Sequence, residues 1–260
     1  MSLLGKPSFV WRQVFGQYEA VLKAKADNIK DAKKRKELIS LDTWYQQELR
    51  QLISGRSEKF ITHEELAKLM KWKLMRGKFR PRLQQMVEEN SAESVETASK
   101  KGFQALPSIK AAVEALTVLR AVGPATASAV LAAGAPQHAP FMADESMLAL
   151  PGLQPLKYTL PAYQQYVQLV ADITKILKKE DGEFGWTPHH VELALWTLQM
   201  AKTLKLDNVL AMLDHKTPST TESADHDKTR SASNGQDTTA SSKNKRKTTS
   251  SDKPVKKKKT

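Results

Sequence analysis

The sequence contains no cysteine in its 260 residues. This excludes disulfide bonds, thiolate zinc sites, cysteine nucleophiles and cysteine-ligated iron–sulfur clusters. No apolar run approaches the roughly 18 residues needed to cross a bilayer, and residues 1–15 lack the basic start, apolar centre and cleavage site of a signal peptide. We therefore expect a soluble intracellular protein that enters no membrane and uses neither a metal nor another cofactor.

Acidic residues are also in short supply. The chain has 41 Lys and Arg against 28 Asp and Glu, a net charge of +13, and residues 216–260 account for only part of that excess. A basic body with a basic tail favours a polyanionic partner, and nucleic acid ranks above a membrane because no helix pairs a Lys-rich face with a Trp and Phe face. The alternative is that the excess lysine only keeps the protein soluble.

The C-terminal segment, residues 216–260, has almost no large apolar side chains and is predicted to be a disordered tail. It ends in two basic clusters typical of a nuclear import signal, which would also attract phosphates without regard to sequence. We therefore expect a nuclear protein that binds the import machinery, although a generic polybasic tail is the alternative. The clusters consist of Lys243, Lys245, Arg246, Lys247, Lys256, Lys257, Lys258 and Lys259.

Apolar residues before the tail recur with the helical period, so the body is predicted to be all-α. We divide it into an N-terminal helical segment, residues 1–58, and a main body, residues 59–215. Helices are expected over residues 10–40 and 43–54, the second ending at Gly55, and over residues 163–179. A further helix should start at Thr187 and Pro188. Residues 90–107 are either a linker or a weak helix.

A helix with clear boundaries is predicted between Thr62 and Gly77. Thr62 is the N-cap, Glu65 completes a capping box, and Gly77 ends the helix. Lys73 falls inside the apolar arc of this helix, where a lysine needs a partner or a route to solvent.

The stretch after Gly77 alternates cations with Phe79 and Pro81, a composition that suits phosphate contact with an aromatic ring available for stacking. The alternative is a solvated basic face in which Phe79 and Leu83 anchor the core. The basic contacts to nucleic acid predicted here are Lys73, Arg76, Lys78, Arg80 and Arg82.

A helical hairpin is predicted around the small-residue stretch at residues 119–134. Ser108 caps its first helix, Gly123 permits a tight turn, Pro124 suits the first position of the second helix, and Gly134 ends it. Alanines along the second helix allow close packing of the pair. The tip would present unpaired amides at a helix N-terminus, which receive a phosphate well.

Two motifs resemble the helix-hairpin-helix superfamily of DNA glycosylases. One is the hairpin "LRAVGPATA", and the other is "HAPFMAD", which is similar to the segment that carries that superfamily's catalytic aspartate. With "WKLMRGKFRPRL" and "VELALW", the chain is most similar to the Amun-like group of nuclear, glycosylase-related proteins over residues 60–206. The resemblance implies a two-lobed all-α fold and DNA as the partner, although RNA stays open.

By this resemblance, Asp144 is the catalytic residue at the mouth of a base-sized pocket, where it would stabilise a cationic sugar or activate water. The base would first be extruded from the duplex. The backbone at the hairpin tip would hold a DNA phosphate; the matching residues are Val122, Gly123, Ala125 and Thr126.

The chain departs from the family pattern at two hairpin positions. Bifunctional members carry a lysine nucleophile where this chain has Ala125, so strand cleavage through a Schiff base from that position is disfavoured. Ala121 stands where the family has the first glycine of the hairpin, so fewer backbone conformations are open to the turn than a glycine would allow. Because the chain has no cysteine, it cannot hold the iron–sulfur cluster that several members of the family bind through cysteines.

Asp144 also has a structural interpretation, because an Asp followed by Glu145 is typical of a helix N-cap. His189 and His190 are expected to be a surface pair and not a zinc site. Tyr158, Phe184 and Trp186 could line a base pocket, although core packing is favoured for each.

Three functions therefore stay open for the chain. The first is a monofunctional DNA glycosylase, the second a non-catalytic DNA or chromatin binder, and the third a protein-interaction adaptor. The sequence indicates no oligomeric state.

Overall fold

The computed structural model describes residues 2–214, which are helical and contain no β-strand, so the all-α prediction is confirmed for this part of the chain. The predicted disordered tail and its basic clusters at residues 243–247 and 256–259 lie outside the described residues. None of the described helices combines the length and apolar character that a membrane span requires.

The N-terminal helices are shorter than the pattern predicted. The side chain of Asp31 accepts hydrogen bonds from the amides of Lys33 and Lys34 and so starts a new helix inside the expected one. The chain then passes through a π-helical segment, Trp44–Leu49, and ends this region before Gly55. The helices are α1 (Ser8–Phe15), α2 (Tyr18–Asp27), α3 (Ala32–Thr43) and α4 (Arg50–Ser54).

The middle of the chain forms five helices, and the side-chain caps predicted for two of them are present. Thr62 and Glu65 make the expected capping box, and the side chain of Ser108 accepts a hydrogen bond from the amide of Ala111. Residues 90–107, for which the sequence predicts either a linker or a weak helix, contain a helix capped by Ser91. The helices are α5 (His63–Arg76), α6 (Pro81–Glu88), α7 (Ala92–Gln104), α8 (Ile109–Leu116) and α9 (Pro124–Gly134).

The last part of the described chain surrounds one buried helix. It contains α10 (Asp144–Leu148), α11 (Leu160–Glu180), α12 (Pro188–Leu204), α13 (Asp207–Leu210) and a 3₁₀ turn, Ala211–Asp214. The side chain of Thr187 caps α12 as predicted, by accepting from the amide of His190. Because α1, α2, α10 and α11 all pack against α12, the N-terminal helices share its core.

Helix α9 is held by close packing at its C-terminal end. A Cβ atom on Gly134 would lie 2.5 Å from the ring of Phe103 and 2.9 Å from Ile53, so no side chain fits there without movement of its neighbours. Small residues along α9 are buried as the sequence suggested, and the helix contacts α4, α5, α7 and α8. This packing fixes the opposite end of α9, which begins at Pro124.

Candidate functional site

A cavity of about 360 Å³ opens where the end of α5, the turn before α9 and the start of α10 meet. Its volume lies within the roughly 300–1,000 Å³ of small-molecule sites. Part of its wall is apolar, from Leu83, Phe141 and Met142. The predicted site residues that line it are Lys73, Arg76, Lys78, Arg80, Gly123, Ala125, Thr126 and Asp144; Val122 and Arg82 do not.

Asp144 directs its carboxylate into this cavity. It is the first residue of α10, whose N-cap is Ala143 with no side-chain hydrogen bond, so the interpretation of Asp144 as an N-cap is wrong. The hydroxyl of Tyr158 lies 2.9 Å from each carboxylate oxygen, and the Nζ of Lys78 lies 3.1 Å from Oδ2. The side chain is 20% exposed, which leaves a solvent-accessible carboxylate beside the Gly123 turn.

The two partners of Asp144 are themselves near the surface. The side chain of Lys78 is 69% exposed, so its ion pair with Asp144 is easily exchanged for another anion. The hydrogen bond to Asp144 raises the pKa of Lys78, which stays charged. Tyr158 is exposed, and partial burial followed by its hydrogen bond to Asp144 raises its pKa. The prediction that Tyr158 packs in the core is therefore wrong.

Lys73 reaches solvent through the cavity. It is half-buried on α5, and no carboxylate of residues 2–214 lies within 4.0 Å of its Nζ. Burial and the nearby charge of Arg80 lower the pKa of Lys73 to about 8, against an opposing effect of Asp144. The lysine that fell inside the apolar arc thus has a route to solvent but no acidic partner in the described part of the chain.

Arg76 lies in the wall of the cavity but is almost fully buried, which leaves little of its surface for the predicted contact with nucleic acid. Only 2% of it is exposed, and its guanidinium donates to the hydroxyl of Tyr18 at 3.2 Å and to Glu192 at 3.4 Å. Its Nε also lies 3.9 Å from Asp42, which accepts hydrogen bonds from Tyr18 and Trp72. Tyr18, Asp42, Arg76 and Glu192 form what we call the closed network.

The turn before α9 uses its residues differently from the prediction. Gly123 has φ −92° and ψ −177°, an extended conformation open to any residue, and a Cβ there would meet no atom within 4 Å. The left-handed conformation falls instead on Ala121, with φ 63°. The tight turn is therefore made at Ala121, and the glycine at position 123 keeps one wall of the cavity free of a side chain.

The backbone amides at this turn divide into two pairs. Val122 donates to the carbonyl of Leu119 at 3.2 Å and Thr126 to that of Gly123 at 2.9 Å. The amides of Gly123 and Ala125 have no acceptor among the described residues. An anion approaching the start of α9 would thus meet two free donors and not the four predicted.

The loop between α5 and α6 exposes an aromatic ring among cations. Lys78, Arg80 and Arg82 are exposed, and Phe79 is 75% exposed, so the interpretation of Phe79 as a core anchor is wrong. That interpretation holds for Leu83, which packs against the core. The guanidinium of Arg80 lies 5.8 Å from the ring centroid of Tyr158, which joins this loop to the cavity rim.

Other residues singled out in the sequence lie away from the cavity. Trp186 is fully buried and Phe184 packs beside it, as favoured from sequence. His189 was expected on the surface but is 8% exposed, with its Nε2 2.9 Å from the side-chain oxygen of Gln46. Residues 2–214 contain no group of three His, Asp or Glu side chains that could hold a metal ion.

Comparison with known proteins finds no relative of this chain. No protein-family model, no curated protein and no solved structure matches the chain. The site itself offers an accessible carboxylate, a lysine of lowered pKa, exposed cations and two free amides around one cavity.

Proposed function

We propose that the chain is a nuclear DNA-binding protein of the two-lobed helix-hairpin-helix glycosylase type that removes a base from DNA as a monofunctional glycosylase in base excision repair. The observation that supports this most directly is the position of Asp144. Its carboxylate lines a cavity beside the Gly123 turn and does not cap a helix.

Binding to the DNA backbone would use both sides of the cavity. The free amides of Gly123 and Ala125 suit one phosphate near the extruded nucleotide. Lys78, Arg80 and Arg82 would neutralise phosphates of the flanking strand, so affinity should fall steeply with salt. Phe79, exposed between these cations, would stack on a base left unpaired by the extrusion.

The chemical step assigned to Asp144 is hydrolysis of the N-glycosidic bond. As the bond between C1′ and the base nitrogen breaks, positive charge develops on the sugar, and a carboxylate close to it stabilises that charge. The base leaves with the bonding electron pair. A water molecule then adds to C1′ and passes its proton to the carboxylate, which gives a proton to the base nitrogen and is regenerated. Lys78 is exposed, so on DNA binding it can leave Asp144 and pair with a DNA phosphate. The carboxylate of Asp144 is then free to act on the sugar.

The proposal is tested by base release from duplexes that each contain one damaged or mismatched base. The wild type should release at least one of these bases, whereas Asp144→Asn should reduce the rate by about 10²–10⁴ and still bind the duplex. Asp172→Asn, which removes an exposed carboxylate on α11, is the matched control and should keep full activity. Equal rates for Asp144→Asn and the wild type would refute this role.

A non-catalytic DNA binder is the second candidate, and one observation favours it. Both oxygens of Asp144 already accept a hydrogen bond from Tyr158, and Oδ2 also contacts Lys78, which makes the carboxylate a positioning element for the basic loop. A binder would release no base from any duplex yet lose affinity with salt. An adaptor would show no salt-dependent binding to DNA.

A further inference from the structure

We propose that Lys73 is an amine nucleophile that condenses with the C1′ aldehyde of an abasic site, so that the cavity also carries strand-cleaving lyase activity. This inference rests on the proposed base release, because it needs the cavity to receive a DNA sugar. It changes one part of that proposal: with Lys73 as a nucleophile, the protein would also cleave the strand and would not be monofunctional. It assigns to α5 a chemistry that the sequence disfavoured at Ala125 of α9.

The geometry distinguishes Lys73 from the other cations at the cavity. Lys78 is paired with Asp144, and Arg76 is sealed into the closed network. Lys73 is half-buried, has no carboxylate of residues 2–214 within 4.0 Å, and opens onto the cavity that Asp144 and Ala125 also line. An amine from α5 can therefore act in the cavity although the hairpin position holds an alanine.

The surroundings of Lys73 favour its neutral, nucleophilic form, mainly through burial. Arg76, Lys78 and Arg80 contribute positive charge to the cavity walls, Asp144 and Glu145 contribute negative charge, and Tyr158 is protonated. Burial dominates, and the pKa of about 8 leaves roughly a quarter of Lys73 neutral at pH 7.5. An ordinary lysine, with a pKa of about 10.4, would be about 0.1% neutral.

The reaction uses only water besides the protein and the DNA. The neutral amine of Lys73 adds to C1′, a carbon–nitrogen bond forms, and the carbonyl oxygen leaves as water after taking two protons, which gives a protonated imine. Asp144 accepts the proton from C2′, the bond from C3′ to the phosphate oxygen breaks, and the strand leaves with a 5′-phosphate. Water then hydrolyses the imine and restores the amine.

Sodium borohydride provides the test, because its hydride reduces the imine to a stable secondary amine. The full chain is incubated with a duplex containing one abasic site, treated with borohydride, and the covalent adduct is located by mass spectrometry. The wild type should give an adduct on Lys73, and Lys73→Arg, which keeps the charge, should lower the yield at least 100-fold. Lys71→Arg, an exposed lysine of the same helix, should leave it unchanged.

The pH dependence of trapping adds a second readout. Because the neutral amine is the nucleophile, the initial trapping rate should rise with pH and level off above about 8, whereas an ordinary lysine would keep gaining rate towards pH 10. Melting curves and binding to a duplex with a reduced abasic site would establish that Lys73→Arg is folded and competent to bind.

The outcomes distinguish the proposed role of Lys73 from the proposed glycosylase function. An adduct that persists in Lys73→Arg, or no adduct from a protein that binds the abasic duplex and releases bases, overturns the role of Lys73 and leaves the glycosylase proposal intact. Failure of the wild type to bind any duplex overturns both.

Discussion

Helix α5 contributes to two polar clusters that differ in how far they are closed. Arg76 enters the closed network with Tyr18, Asp42 and Glu192, all shielded from solvent. Lys73, on the same helix, and Lys78, just after it, belong to what we call the cavity cluster, which Asp144 and Tyr158 complete. Both clusters combine a cation, a carboxylate and a tyrosine, yet the first is almost fully buried, whereas the second has exposed members at the mouth of the cavity.

The difference lies in what remains unpaired. The guanidinium of Arg76 has hydrogen-bond partners and lies 4.4 Å from the ring centroid of Trp196, so it is engaged by groups of the protein itself. The cavity cluster keeps an amine without an acidic partner in the described chain and a carboxylate held by an exposed lysine. A closed network of this kind holds the fold together, whereas an open one is suited to binding and chemistry.

The largest expected effect is a difference in stability between the variants that remove a cation from each cluster. Arg76→Met should lower the free energy of unfolding by about 3–5 kcal/mol, because it leaves Asp42 and Glu192 buried without a counter-charge. Burial already raises the pKa of Asp42 against the effect of Arg76, so loss of the arginine raises that pKa further. Lys78→Met, at an exposed site, should leave the urea midpoint unchanged. Equal losses in the two variants would contradict the comparison.

The exposed aromatic ring beside the cavity should affect DNA binding without affecting stability. Phe79→Ala should weaken binding to a duplex with an abasic site by about 1–3 kcal/mol, or roughly 5- to 150-fold in Kd, because base stacking is lost. Ile176→Ala, which truncates an exposed apolar residue of α11, is the control and should keep full affinity. Fluorescence anisotropy at one salt concentration measures both; a Phe79→Ala variant that binds like the control would remove this ring from the interface.

The smallest effect is expected at the turn that leads into α9. Ala121→Gly should raise the free energy of unfolding by about 0.5–1 kcal/mol, since relief of the left-handed strain exceeds the entropy that glycine costs. Gly123→Ala, at an extended position with open space, should change stability little. Urea unfolding compares the two variants. A destabilised Ala121→Gly would show that the left-handed conformation of Ala121 does not strain the turn.

The sequence predicted helix boundaries well where a single side chain decides them. Thr62 with Glu65, Ser108 and Thr187 each hydrogen-bond to amides within three residues, so the local sequence is sufficient. The break at Asp31 has the same kind of signal, but the apolar pattern on both sides concealed it.

The candidate site was less accessible to sequence because its roles depend on distant partners. Arg76 has the same local setting as Lys73 and Lys78, and only Asp42 and Glu192, far along the chain, make it a buried residue. Likewise, Asp144 followed by Glu145 has the local pattern of a cap, and the Tyr158 hydroxyl that holds the carboxylate is 14 residues away. Gly123 suggested a tight turn, although the left-handed residue is Ala121.

If the cavity beside Gly123 receives a nucleotide extruded from duplex DNA, that nucleotide loses its stacking when the protein binds. A duplex with 2-aminopurine at the target position tests it directly, because this base fluoresces little when stacked and brightly when unstacked. Saturating protein should increase the fluorescence several-fold, and Asp144→Asn should preserve the increase although base release is lost. Binding at saturation with no change in fluorescence would rule out extrusion of the nucleotide into this cavity.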